Sequence, residues 1–288
     1  MTNRPRPQSR SNAATRKQQE QRRKRNTKIV VGAVIVVLVV SLVAALTLGN
    51  SSTSSAKLTP PTGSAAAAVI SQVTSVPATV TDAVGTGSAT GAPSALTGDA
   101  LTANGKPSLL FVGAEWCPFC GGERWVIVDA LSRFGTFSGL AFTHSSTSDV
   151  HPNTQTFTFR DAKFTSQYIN FDAVEVQDSD RQTLDVPTDA QNAVWAAADP
   201  NQSFPFLDIG GRFLVNEATY DVSVLGNKSA AAIAGALTDP TSSIAKGVLG
   251  SANLLTASIC ALTTQQPAAV CNAAGVKAAA AELPASAG

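Results

Sequence analysis

The chain has 288 residues, with 21 Lys and Arg against 20 Asp and Glu. Ten of the basic residues lie in 1–28, opposed only by Glu20, so the remaining 260 residues carry 11 basic and 19 acidic side chains, a net charge of −8. That balance excludes a globally basic nucleic-acid binder, and four Cys with two His exclude a disulfide-dense scaffold and a multi-site metalloprotein.

Residues 29–48 (IVVGAVIVVLVVSLVAALTL) hold twenty residues without a charge, about 30 Å of helix, the thickness of a bilayer's hydrocarbon core. The run QRRKRNTK at 21–28 precedes them. Basic flanks stay inside, so 1–28 reads as a basic cytoplasmic tail, 29–48 as a single transmembrane helix, and the rest as extracytoplasmic. A cleaved signal peptide is the rival reading. It calls for an apolar region of roughly 7–15 residues and small residues at the cleavage site, so the length here favours an uncleaved anchor. The basic run could also meet anionic lipid or nucleic acid, but its place against the span makes the topogenic role the simpler one.

Residues 49–65 are too polar to fold and read as a flexible linker. An extracytoplasmic domain follows over 66–272. Within it, 65–85 form one or two short helices interrupted at Pro77, and 84–106 are a Gly-rich loop. There is no internal repeat. Residues 108–113 (SLLFVG) fit a buried strand, and 121–134 (GGERWVIVDALSRF) place apolar residues at 125, 128, 131 and 134 on one helical face. Between them stand Glu115, Trp116, Cys117, Pro118, Phe119 and Cys120.

Strand, Cys-x-x-Cys and helix in that order have a chemical reason. Cys117 falls at the helix N-cap, where unpaired N–H groups and the helix dipole favour a thiolate. Pro118 falls at N1, where a missing N–H costs nothing. Cys120 lies one turn on and can resolve a mixed disulfide. Downstream, 140–144 form a strand, 145–156 a polar loop beside His144 that carries His151, and 157–159 and 168–176 further strands. A helix spans 188–199 after Pro187. With no third ligand at useful spacing, the two His read as loop residues with local hydrogen bonds and no metal site is expected.

The strand followed by AEWCPFC resembles the thioredoxin superfamily. A second stretch, SFPFLDIGGRFLV at 203–215, resembles that superfamily's cis-proline strand and Gly-turn hairpin. More narrowly, GAEWCPFC, GERW, ALSRFGTFSGL, THSSTSDVHPNT and the Phe-rich stretch through Tyr168 to Glu175 resemble a prokaryotic family of membrane-anchored thioredoxin-like proteins of unknown function, over about 69–271. The resemblance implies an α/β fold: a thioredoxin-like central mixed sheet flanked by helices, with an insert between the Cys-x-x-Cys helix and the cis-Pro strand, plus one N-terminal transmembrane helix. It implies Cys117 and Cys120 as the catalytic pair. Trp116, Pro118, Phe119, Phe204 and Pro205 would line a substrate-docking strip, with Pro205 cis; taken alone, Pro205 reads as an edge or turn proline. The buried acid that thioredoxins place six residues before the first Cys is here Phe111. Glu115 and Glu123 are the candidate proton relays, although solvated surface acids are the simpler reading of both. Pro-Phe between the cysteines implies an intermediate reduction potential.

Cys260 and Cys271 enclose a short loop after an amphipathic stretch at 243–262, and residues 273–288 form an Ala-rich tail that frays. The pair reads as a structural disulfide, with a redox relay to Cys117 and Cys120 as the alternative. The expected activity is oxidation or isomerisation of exported proteins by a membrane-tethered thiol–disulfide oxidoreductase without a cofactor. It would need client proteins carrying thiols or disulfides and a membrane redox partner. The alternative is a non-catalytic thioredoxin-like binding module of the cell envelope. Both readings turn on whether the Cys117 thiol can be reached from solvent.

Overall fold

The computed structural model describes residues 58–285. The basic tail, the apolar segment 29–48 and residues 49–57 of the expected linker lie outside the described residues.

Helices α1 (Gly63–Thr74) and α2 (Ala78–Val84) flank Pro77. The linker therefore ends earlier than expected, since α1 claims 63–65 and buries Val69 and Val73 against the core. The Gly-rich stretch then contributes two short strands, β1 (Ser94–Ala95) and β2 (Thr102–Ala103), before the central strand β3 (Lys106–Gly113). Helix α3 (Pro118–Ser132) follows at once.

The insert holds four small strands, β4 (Gly135–Ser138), β5 (Ala141–His144), β6 (Gln155–Thr158) and β7 (Lys163–Ser166), and then β8 (Asn170–Glu175) and α4 (Asp189–Ala198). β4 pairs with β7 and β5 with β6, both antiparallel, so the insert forms two ribbons outside the main sheet. The pairing of β4 with β7 was not visible in the sequence, because strands this short carry too few alternations to register. Helix α4 starts with a capping box between Thr188 and Gln191. The chain closes with the hairpin β9 (Phe206–Ile209) and β10 (Phe213–Val215), a 3-10 turn at Val222–Leu225, and helices α5 (Ala230–Ala236), α6 (Ser243–Leu262), α7 (Ala268–Cys271) and α8 (Ala274–Ala280).

The sheet is mixed and flanked by helices. β3 pairs in parallel with β8 on one side and antiparallel with β9 on the other, β10 joins β9, and β1 joins β10. Both faces of β3 are covered, as the period of two requires. Leu109 and Phe111 point into the larger core with α3 and α6, while Leu110 and Val112 meet Val174, Trp195 and Phe206 under α4.

One expectation about the C-terminal part needs correcting. Among the described residues, α6, on the stretch read as amphipathic, is the helix long and apolar enough to cross a membrane, but 89 % of its apolar window is buried inside this domain. It is a core helix enclosed by its own chain. Burial on nearly all sides removes the need for a polar face. The expectation to correct is the Ala-rich tail, which does not fray from 273: α8 packs on α6 and α2, with Val276 and Ala279 buried. Small side chains allow this close approach, and tertiary contact supplies what seven isolated helical residues lack.

Cys260 and Cys271 form a disulfide between the last turn of α6 and α7. Tyr220 lies against Gly122 of α3 and Gly247 of α6, where a Cβ on Gly247 would stand 2.6 Å from the ring. Further along, Arg133 donates to Asn253 at 2.7 Å. Cys260 is another two turns on, past the opposite end of α3 from Cys117. Closing a loop of 11 residues contributes about 2.5–3 kcal/mol by chain entropy. Cys260→Ala with Cys271→Ala should lower unfolding stability by that amount in urea titrations. Unchanged Cys117 reactivity in the same variant identifies a structural bond, and lost reactivity a relay.

Candidate active site

β3 ends at Gly113 and the chain turns through Glu115 and Trp116 into α3. Cys117 is the N-cap of that helix, its sulfur accepting the Cys120 N–H at 3.2 Å, and Pro118 opens the first turn. Cys117 and Cys120 are free thiols. The Cys120 thiol and N–H, the Phe119 N–H and the Arg124 charge pull the Cys117 pKa below the ordinary thiol value against the opposing effect of burial. Cys120 moves the other way, because burial and the neighbouring sulfur push it well above that value. One thiol is thus set to ionise and its partner to stay protonated.

Phe206 pairs with Val112, so Phe204 and Pro205 enter the sheet beside Gly113 and Ala114, where β3 runs out toward Cys117. The Phe204–Pro205 peptide bond is cis. Pro118 and Pro205 are buried, whereas Trp116 and Phe204 are half-buried and Phe119 is 38 % exposed. The surface offered by the expected docking strip is therefore aromatic. Trp116 meets Phe204 edge-on at 6.2 Å, and Phe204 stacks on Trp195 at 5.4 Å. Cys117 itself retains 3 % of its surface. Any partner sulfur has to enter past this rim.

The insert holds Trp116 in place. Trp116 Nε1 donates to Gln177 Oε1 at 2.9 Å, Ser146 N donates to the Trp116 carbonyl, and the Arg181 guanidinium lies 3.7 Å over the indole. His151 meets Phe119 edge-on at 5.7 Å, and His144 Nδ1 is 2.9 Å from the Ser145 carbonyl. Sequence reasoning missed Gln177 and Arg181, which reach Trp116 from about sixty residues away.

Neither candidate relay acid is solvated. Glu115 accepts from Thr143 Oγ1 at 2.8 Å. Glu123 is buried and accepts from both Thr219 N and Thr219 Oγ1 at 2.6 Å. Burial raises the Glu123 pKa to about 7, against the lowering effect of those two bonds. Helical geometry turns Glu123 away from Cys117 by about a third of a turn, whereas Arg124 returns to the thiol face. Arg124 was also missed, because a charged residue in a helix reads as a surface one until its partner on β8 is in view. Arg124 donates from Nε and Nη2 to the two carboxylate oxygens of Glu175 at 2.8 and 2.6 Å, with both side chains fully buried. Among the described residues, no three His, Cys, Asp or Glu side chains are grouped to hold a metal ion.

Residues 94–194 match a family model described as a domain of unknown function (DUF929). The match takes in β1, β3, the Cys pair, Arg124, Glu175 and the insert as far as the middle of α4, and stops before Phe204. No curated protein and no solved structure matches the chain.

Proposed function

We propose that the protein is a membrane-tethered thiol–disulfide oxidoreductase acting on exported proteins through Cys117 and Cys120. The observation that carries this reading is the split pair at the start of α3: a thiol held at a helix N-cap and drawn toward ionisation, with a protonated partner one turn away. The parallel β3–α3–β8 unit followed by the β9–β10 hairpin, entered through a cis proline beside the end of β3, supports a thioredoxin-like fold. The apolar segment 29–48 behind ten basic residues supports tethering with the N-terminus inside.

In the oxidising direction a client thiolate attacks Cys117 Sγ of the Cys117–Cys120 disulfide. The S–S bond breaks, and Cys120 takes the electron pair and a proton. The client's second thiolate then attacks the mixed disulfide and releases Cys117 as the thiolate, the better leaving group. The client gains a disulfide, the pair gains two electrons, and a membrane redox partner must remove them. Trp116, Phe119 and Phe204 would hold apolar residues flanking the client cysteine.

One observation favours the second reading, a non-catalytic binding module: only 3 % of Cys117 is exposed. Alkylation separates the two. In the reduced full-length protein in detergent, iodoacetamide at neutral pH should modify Cys117 at least about tenfold faster than Cys120. Equally slow modification of both would leave the binding module.

A further inference from the structure

Arg124 stands seven residues beyond Cys117 and returns to the same face of α3. A cation this deeply buried costs several kcal/mol unless paired, and Glu175 pairs it through Nε and Nη2. The third nitrogen is left over: Nη1 is buried and has no acceptor among the described residues. Glu175 thus occupies two of the three guanidinium nitrogens and leaves part of the cation's hydrogen-bonding capacity unused.

Packing continues from this guanidinium to the thiols. Arg124 Cζ stands 5.7 Å from the centre of the Phe111 ring. The same ring closes on Gly113, where a Cβ would lie 2.6 Å from Phe111 Cζ and 3.5 Å from Cys120 Sγ. Phe111 occupies the position of the acid that thioredoxins bury, so the charge behind this pair comes from the helix and is positive. Arg124 acts on both sulfurs and favours their ionised forms. The other titratable groups close by are Glu175 on β8, Glu115 beside it and Asp185, whose carboxylate accepts the Glu175 N–H, with Arg181 over Trp116 and His151 against Phe119 on the outer side.

We propose that Arg124 is a positioning residue that supplies the buried counter-charge for the Cys117 thiolate, and that Glu175 sets how much of that charge the sulfur feels. The proposal rests on the thiol–disulfide reading above. Stabilising the thiolate favours the dithiol over the disulfide, so the device moves the site toward oxidant behaviour.

Two variants of the full-length protein in detergent test it, each compared with wild type by the pH profile of Cys117 alkylation and by equilibration with glutathione. Arg124→Met with Glu175→Gln removes both charges together, which a buried site tolerates better than losing one. It should raise the midpoint of the profile by about one pH unit and shift the equilibrium about tenfold toward the disulfide, about 30 mV. Glu175→Gln alone frees the Arg124 charge and should shift both readouts the opposite way. Circular dichroism reports folding; if neither variant folds, Glu175→Asp, which keeps both charges and draws the carboxylate back from the guanidinium, should shift both readouts in the direction given for Glu175→Gln, and the absence of that shift overturns the proposal. A reactive wild-type Cys117 with folded variants that leave both readouts within about twofold, less than the shift of one partial charge, overturns the role of Arg124 alone. An unreactive wild-type Cys117 brings down both the proposal and the reading beneath it.

Discussion

Cys117→Ser should abolish disulfide exchange with a model client, on the order of a thousandfold or more, as loss of an essential nucleophile does. Cys120→Ala should behave differently. It keeps the first thiol at the N-cap, so attack proceeds and the mixed disulfide with the client accumulates instead of resolving. The asymmetry follows from the opposite shifts of the two sulfurs: Cys117 is drawn toward the thiolate, while Cys120, fully buried, is pushed well above the ordinary value. Non-reducing electrophoresis of cells expressing each variant is the measurement. Client adducts with Cys120→Ala and none with Cys117→Ser are the expected pattern. Equal adduct formation, or none with either variant, would remove the exchange mechanism.

Glu123→Gln should flatten most of the pH dependence of stability between pH 5 and 8. Burial holds the Glu123 carboxyl at about 7 in the fold, above its value in the unfolded chain. The folded state thus binds the proton more tightly. This stabilisation is complete below about 4.5 and is lost as pH rises through about 7. Across pH 5–8 the wild type should lose about 2–3 kcal/mol from this group, or about 5–10 °C in Tm for a domain of this size. The amide of the variant would keep an oxygen acceptor for Thr219 N and Oγ1 without the titrating proton. A smaller slope should persist from Asp208, which burial raises to about 6 against the Gly211 N–H bond. Calorimetric scans of wild type and variant at several pH values check this. A variant with the wild-type slope would refute the assignment.

Local chemistry made the geometry of the Cys pair legible. Cys117 at the N-cap, Pro118 in the first turn and Cys120 one turn on are related by three-residue spacing, and a helix start needs no distant partner to arrange them. Pro205 stood out only through the resemblance of 203–215 to a cis-proline strand and Gly-turn hairpin; taken alone it reads as an edge or turn proline. Short strands such as β4 and β7 escaped because four residues do not establish a period.

The chain's own order of residues determined the anchor-like segment, the Cys-x-x-Cys helix, the central strand and the pairing-competent Cys260 and Cys271. Tertiary structure alone decided which charges stand behind the thiols. Arg124 and Glu175 are 51 residues apart, and nothing local distinguishes either from a surface charge. The same holds for Glu123, buried by a loop 96 residues later, and for α8, which orders because α6 and α2 cover it. Spacing along a helix is a property of neighbours. Burial, and the pKa values it sets, depends on what the rest of the fold lays across them.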